Sequence, residues 1–204
     1  MVLVSSQLYE DTLTRLFIFW RTDEFGNKRD CFNLLCSPNF IQIDNKNPVD
    51  AVLTPTSVLG GQQYIIQLYI YRDNVTGYWW LLVNDVNVGY WINTLITGSD
   101  GGASHVAWGG LAQGLPNGPS PPIGSGEFKA YNTGRTAYFK NLEIVDHTNT
   151  WADPNGKELE KYIAVLIATV YSAMGLKGAM DILSLLVDLE VIVGLWGDII
   201  SFNI

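Results

Sequence analysis

The chain has 204 residues, 48% of them hydrophobic and 12% aromatic, enough apolar surface for one substantial core, which excludes disorder as a starting point. Its net charge is -8 and its pI near 4.6, and no basic run occurs in it. Nucleic acid and anionic membrane surfaces both need a basic patch, so neither is expected as the main partner.

In chain order, the start MVLVSSQLYEDTLTRLF has no basic segment followed by a sustained apolar run, so no signal peptide is visible. Residues 13–20, LTRLFIFW, are aromatic and β-branched and predict a strand that stops at the polar pair Thr22-Asp23. A turn at Gly26-Asn27 follows, then strands over 30–35 and 40–43 separated by Ser37-Pro38. Cys31 and Cys36 fall in CFNLLC, which is not the spacing of a CxxC redox pair. They are too few for a zinc site without histidines nearby, so no metal and no cofactor is expected. A local disulfide is the better reading, and it favours a secreted or vacuolar history.

Residues 50–54 alternate before Pro55 and Gly60-Gly61 break the pattern, and 63–71, QYIIQLYIY, form the longest clear strand. The turn formers of 73–77 join it to GYWWLLVNDVNVGYW, residues 77–91, which reads as two strands around the turn Asn84-Asp85. Strand pairing lays several of Trp79, Trp80, Tyr90 and Trp91 on one sheet face, a surface best covered by a second sheet. Residues 98–102 read as loop, 105–108 as a short strand, 117–122 as irregular, and 136–146, TAYFKNLEIVD, as a long strand near the sheet centre. Frequent strands and no convincing helix before Thr150 predict a mainly β fold over 1–150, an antiparallel β-sandwich or a barrel.

The tail, 151–204, changes character. From Glu158 the pattern turns helical, and the uncharged stretch 162–176 is shorter than the ~20 residues of a spanning helix. Gly175 and Gly178 mark a turn, and in MDILSLLVDLEVIV the residues Asp181, Ser184 and Asp188 share one stripe opposite a broad apolar face. A helical hairpin is expected. A membrane hairpin is the second choice, since the acidic residues between Asp181 and Asp198 would be costly in lipid.

The ordered series RLFIFW, CFNLLC with FIQ, GGQQY, TGYWWL, VGYW, VAWGG, GSGEF and AYFKNLEIVD resembles the neprosin family over about residues 4–149. That family consists of plant proteins and includes a secreted, proline-cleaving glutamic peptidase. The resemblance implies a two-sheet β-sandwich with a cleft on its concave face, an extracellular or vacuolar location, and a pro-segment. It also implies two catalytic glutamates, one in a strand upstream of RLFIFW and one directly after WGG. On this alignment the first falls before Met1 and the second is Leu111, in VAWGGLAQ. The N-terminal strand of the sandwich is therefore expected to be lacking, leaving a sheet edge that the tail could cover. Further departures are Ala107 where an acidic residue is usual, Ile92 where proline follows VGYW, and the tail after about Trp151.

Glutamic catalysis needs one carboxylate to activate water and one protonated acid to polarise the carbonyl. The remaining candidates are Asp100, Glu127 and Glu143. Glu127 follows a Gly-Ser-Gly turn and could face the cleft, although an exposed strand-end carboxylate is its ordinary role. Glu143 should alternate outward from Leu142 and Ile144. His105 and His147 have no serine or cysteine motif beside them, and Ser125 lacks the preceding glycine of a nucleophile elbow, since Ile123 stands there. Trp79, Trp80, Trp91 and Trp108 are candidates for a platform under proline or sugar rings, with core packing the better expectation for at least two of them. Asn74-Val75-Thr76 is a glycosylation sequon on a loop tip.

Two function classes follow. One is a neprosin-type peptidase domain, truncated and without activity; the other is a non-catalytic module for a Pro-rich peptide or a cell-wall glycan. An enzyme needs two convergent carboxylates, whereas a binder needs exposed rings and a few amides.

Overall fold

The computed structural model describes residues 2–3, 6–24, 27–36, 40–96, 102–103, 106, 134–135, 137–146, 148, 150–154 and 198–203. The chain starts with β1 (Val2–Leu3), the single helical turn α1 (Ser6–Tyr9) and β2 (Arg15–Leu16). Next come β3 (Phe19–Glu24), β4 (Asn27–Phe32), β5 (Ile41–Gln42), β6 (Ile65–Arg72), β7 (Trp79–Val83) and β8 (Val86–Trp91). Short strands follow at β9 (Phe139–Lys140), β10 (Ile144–Val145) and β11 (Trp151–Ala152), and β12 (Asp198–Asn203) comes last. The protein is mainly β, and every strand pairing is antiparallel.

Six strands form one sheet in the order β5-β8-β7-β6-β12-β9. Its centre follows the period of two in the sequence. Ile66, Leu68 and Ile70 of β6 and Trp79, Leu81 and Val83 of β7 are buried, while the residues between them stay partly exposed. The register pairs Trp79 with Trp91 and Trp80 with Tyr90, so the four aromatics divide two to each face. Between Leu81 and Leu82 the pairing slips: Leu81 faces Gly89 and Leu82 faces Asn87. Val88 is the extra residue of this bulge, and it is fully buried. Asn84 and Asp85 turn the hairpin with φ of 48° and 63°, a left-handed conformation that their short polar side chains tolerate.

The core lies on the inner face of this sheet, closed by the β3–β4 hairpin and the chain after it. Trp20 of β3 meets Trp91 edge to face at 6.0 Å, and Phe40 packs on Trp91 at 4.6 Å. Cys31 and Cys36 form the expected disulfide, and both are buried in the same cluster as Leu16, Ile18 and Val49.

Several sequence expectations are corrected. The strand through Trp20 does not stop at Thr22-Asp23 but runs to Glu24, because backbone pairing with Lys28 and Arg29 carries the ladder past polar residues. Its front half is separated off as β2. The stretch 50–54 contributes one bridge, Val52 to Arg15, flanked by backbone bonds of 2.7–2.9 Å to Thr14 and Leu16. The long central strand over 136–146 is instead β9 and β10, broken at Asn141, whose φ of 52° turns the chain out of the ladder. β9 also sits at the sheet edge, not its centre.

The helical hairpin expected in the tail falls on residues outside the described ones. After those residues the chain ends in a strand: β12 lies between β6 and β9, pairing Asn203 with Ile65 through Asp198 with Ile70. The run DIISFN is rich in β-branched and aromatic residues, and the ladder of β6 offers it partners. Among the described residues no helix is long and apolar enough to cross a membrane.

Candidate functional site

The face of the sheet opposite the core carries a row of rings. Tyr71 of β6, Trp80 of β7 and Tyr90 of β8 are neighbours in register, each partly exposed. Trp80 and Tyr90 lie 4.8 Å apart, and Tyr78 stacks parallel to Tyr90 at 5.2 Å. In the next row Tyr69 and Trp151 meet edge to face at 6.1 Å. Burial pushes the Tyr69 and Tyr71 phenols above their ordinary range, with Asp85 and Asp73 respectively adding to the effect. The rings of this row offer flat apolar faces, and the tyrosines among them add hydroxyl tips.

Beside this row, between the β6–β7 loop and the β10–β11 pair, lies a cleft of about 350 Å³ lined by Tyr71, Asn74, Val75, Val145 and Trp151 among others. Trp151 is 45% exposed there. The loop above it is built on Asp73, whose carboxylate accepts hydrogen bonds from the Val75 amide and the Thr76 hydroxyl, both at 2.8 Å. Those bonds hold its pKa below the usual carboxylate range, the Val75 amide foremost.

Among the expected cleft tryptophans, Trp79 and Trp91 are core residues at 0% and 4% exposure and offer no surface to a ligand. The parity of β7 decides this: Trp79 points inward and Trp80 outward. Of the four, Trp80 alone is placed on the open face, and Trp108 lies outside the described residues. So do Leu111, Glu127, Asp100, His105, Ser125 and His147. Glu143 is partly buried, as are Leu142 and Ile144, so the expected alternation is not realised there. Among the described residues no three His, Cys, Asp or Glu side chains gather as a metal site.

A polar cluster escaped the sequence reading. Asn33, 4% exposed, accepts a hydrogen bond from the Ile18 amide at 3.1 Å through its carbonyl oxygen, while its Nδ2 donates to the Tyr9 hydroxyl and to Asp50, each at 3.1 Å. Arg15 lies 4.5 Å over the Tyr9 ring and donates to Asp11 at 2.8 Å. The group ties α1, β2, the disulfide loop and the 50s together. Its chemistry is that of a clamp.

Burial, then the hydrogen bond to Asp50, pushes the Tyr9 phenol up to about 12. A raised folded pKa means that the stability linked to this group is complete below the ordinary value near 10 and disappears as pH rises through about 12. Urea unfolding at stepped alkaline pH is expected to show this loss in the native chain. Tyr9→Phe should lose less, since among the described residues only Tyr69 and Tyr71 are then left with raised phenol values, and equal alkaline losses in both proteins would contradict the assignment.

Compared with known families, the chain matches the family model described as Neprosin over residues 2–178, beyond residue 149 where the quoted motifs end. That match spans most of the 204 residues, and the antiparallel sheets and the Cys31–Cys36 disulfide agree with it. The chain belongs to the neprosin family.

Proposed function

We propose that this chain is a neprosin-type peptidase domain that does not cleave peptides. The observation that carries the reading is Leu111, which stands in VAWGGLAQ where active members place their second glutamate. An isobutyl group neither gives nor takes a proton, so the carboxylate pair that such hydrolysis requires cannot form there. Layering of the β3–β4 hairpin on the large sheet, through Trp20 and Trp91, supports a two-sheet sandwich as the architecture. The disulfide is consistent with an extracellular or vacuolar location.

The aromatic row favours a second reading, in which the domain binds a Pro-rich peptide or cell-wall glycan without chemistry. Tyr71, Trp80 and Tyr90 present adjacent rings on the open face, which is what stacking on pyrrolidine or pyranose rings requires.

One experiment addresses both readings. The purified full chain is assayed at acid pH on a proline-containing reporter peptide, and its tryptophan fluorescence is titrated with uncleaved Pro-rich peptide and with cell-wall oligosaccharide. No turnover is expected from the native chain. Leu111→Glu restores only the second of the two family carboxylates and should stay inactive too, since losing one positioned acid or base costs about 10²- to 10⁴-fold. Turnover by the native chain, surviving controls for contaminating proteases, would overturn the first reading. Saturable quenching abolished by Trp80→Ala supports the second, and no quenching by either ligand overturns it.

A further inference from the structure

We propose that Asn74 carries an N-linked glycan and that the cleft beside it seats the first sugar of that glycan. Asn74-Val75-Thr76 has the acceptor pattern, with Val75 in the middle position where proline would forbid it. All three residues are exposed, Val75 at 92%, and among the described residues the Asn74 carboxamide has no hydrogen-bond partner. The loop is not slack: Asp73 holds the Val75 amide, the Thr76 hydroxyl and, through its carbonyl, the Gly77 amide at 2.8 Å each. This holds Asn74 in a braced turn among the residues that line the cleft.

The cleft suits what an attached sugar would present. Its lining combines the apolar surfaces of Tyr71, Val145 and Trp151 with the polar Arg72 and Asp73. A pyranose has an apolar C–H face for the rings and a hydroxyl edge for the polar groups. At about 350 Å³ the space is at the small end of ligand pockets, enough for one ring. A sugar tethered at Asn74 also needs little intrinsic affinity, because its effective concentration at the cleft is on the order of millimolar. That tether is why the chain's own glycan is chosen over a free ligand.

In the transfer, Asn74 Nδ2 loses a proton and bonds to C1 of the first N-acetylglucosamine. The bond from C1 to the oxygen of a polyisoprenyl pyrophosphate donor breaks, and the lipid pyrophosphate leaves. A host oligosaccharyltransferase supplies donor and catalysis. The proposal rests on the reading that the chain enters an oxidising secretory compartment.

For the test, the full chain is expressed in eukaryotic cells behind a cleavable secretion signal. Entry is thereby supplied, so a missing glycan counts against the site and not against the location, which is measured separately on the chain without the added signal. Intact mass should show a glycan that peptide N-glycosidase removes and that Asn74→Gln and Thr76→Ala lack. Trimming to a single sugar should leave Tm unchanged, whereas removing that sugar should lower Tm by about 2–4 °C. Trp151→Ala should abolish this difference and Trp151→Phe retain it. Absence of a glycan on Asn74 overturns the proposal, as does an undiminished Tm difference in Trp151→Ala.

Discussion

Trp79→Ala is expected to lower the unfolding free energy by about 4 kcal/mol. The indole is fully buried and sits in register between Arg72 of β6 and Trp91 of β8. Strands paired on both sides hold the backbone in place, so the vacated space cannot close by collapse, and the cavity cost adds to the lost transfer free energy. Its neighbour provides the control. Trp80 belongs to the same strand and is only partly buried, so Trp80→Ala should cost about 1 kcal/mol or less. Urea unfolding followed by far-ultraviolet circular dichroism measures both without relying on tryptophan emission. Equal costs for the two substitutions would contradict the division of β7 into a buried and an open face, and a reversed order would mean that the faces are exchanged.

That contrast also shows where the sequence was legible. Residues 63–91 are legible as three strands with turns at 73–77 and 84–85, because period-two alternation and turn formers are local signals. The disulfide and the family motifs were legible for the same reason. Sequence reading grouped Trp79 and Trp80 as one candidate surface, since choosing between them needs the register, and a shift of one residue exchanges the faces. The bulge at Val88 compounds this by resetting the parity along β8. The Tyr9–Asn33–Asp50 cluster had no signature at all: its partners lie 24 and 17 residues from Asn33, and each is an ordinary surface type on its own. In 136–146 the alternation was real, but Asn141, one of the residue types that adopt positive φ, ended the ladder that the pattern promised.

Gly89→Ala is the second substitution with a large expected effect, a loss of about 3 kcal/mol. Gly89 faces Leu81 on one side and Gln42 on the other, and it is buried. A Cβ there would run into the carbonyl oxygen of Ile41 and the ring of Phe40, both far inside contact distance. Neither obstacle is a flexible side-chain end. The Ile41 carbonyl belongs to the backbone of β5, and Phe40, 2% exposed, is wedged against Trp91. One relaxation lifts β5 from the sheet, giving up its pairing with β8 and the bonds from the Ile43 and Asp44 amides to the Val88 carbonyl. The other rotates Phe40 out of the core. The two are distinguishable by amide hydrogen exchange. Lifting β5 should speed exchange at Ile43 and Asp44 while the β6–β7 amides stay protected, whereas moving Phe40 should lower protection around Trp91. Because the Ile41 carbonyl blocks the site whichever way Phe40 turns, the β5 outcome is expected. A cost below about 1 kcal/mol with unchanged protection at Ile43 and Asp44 would show that β5 does not pack on Gly89.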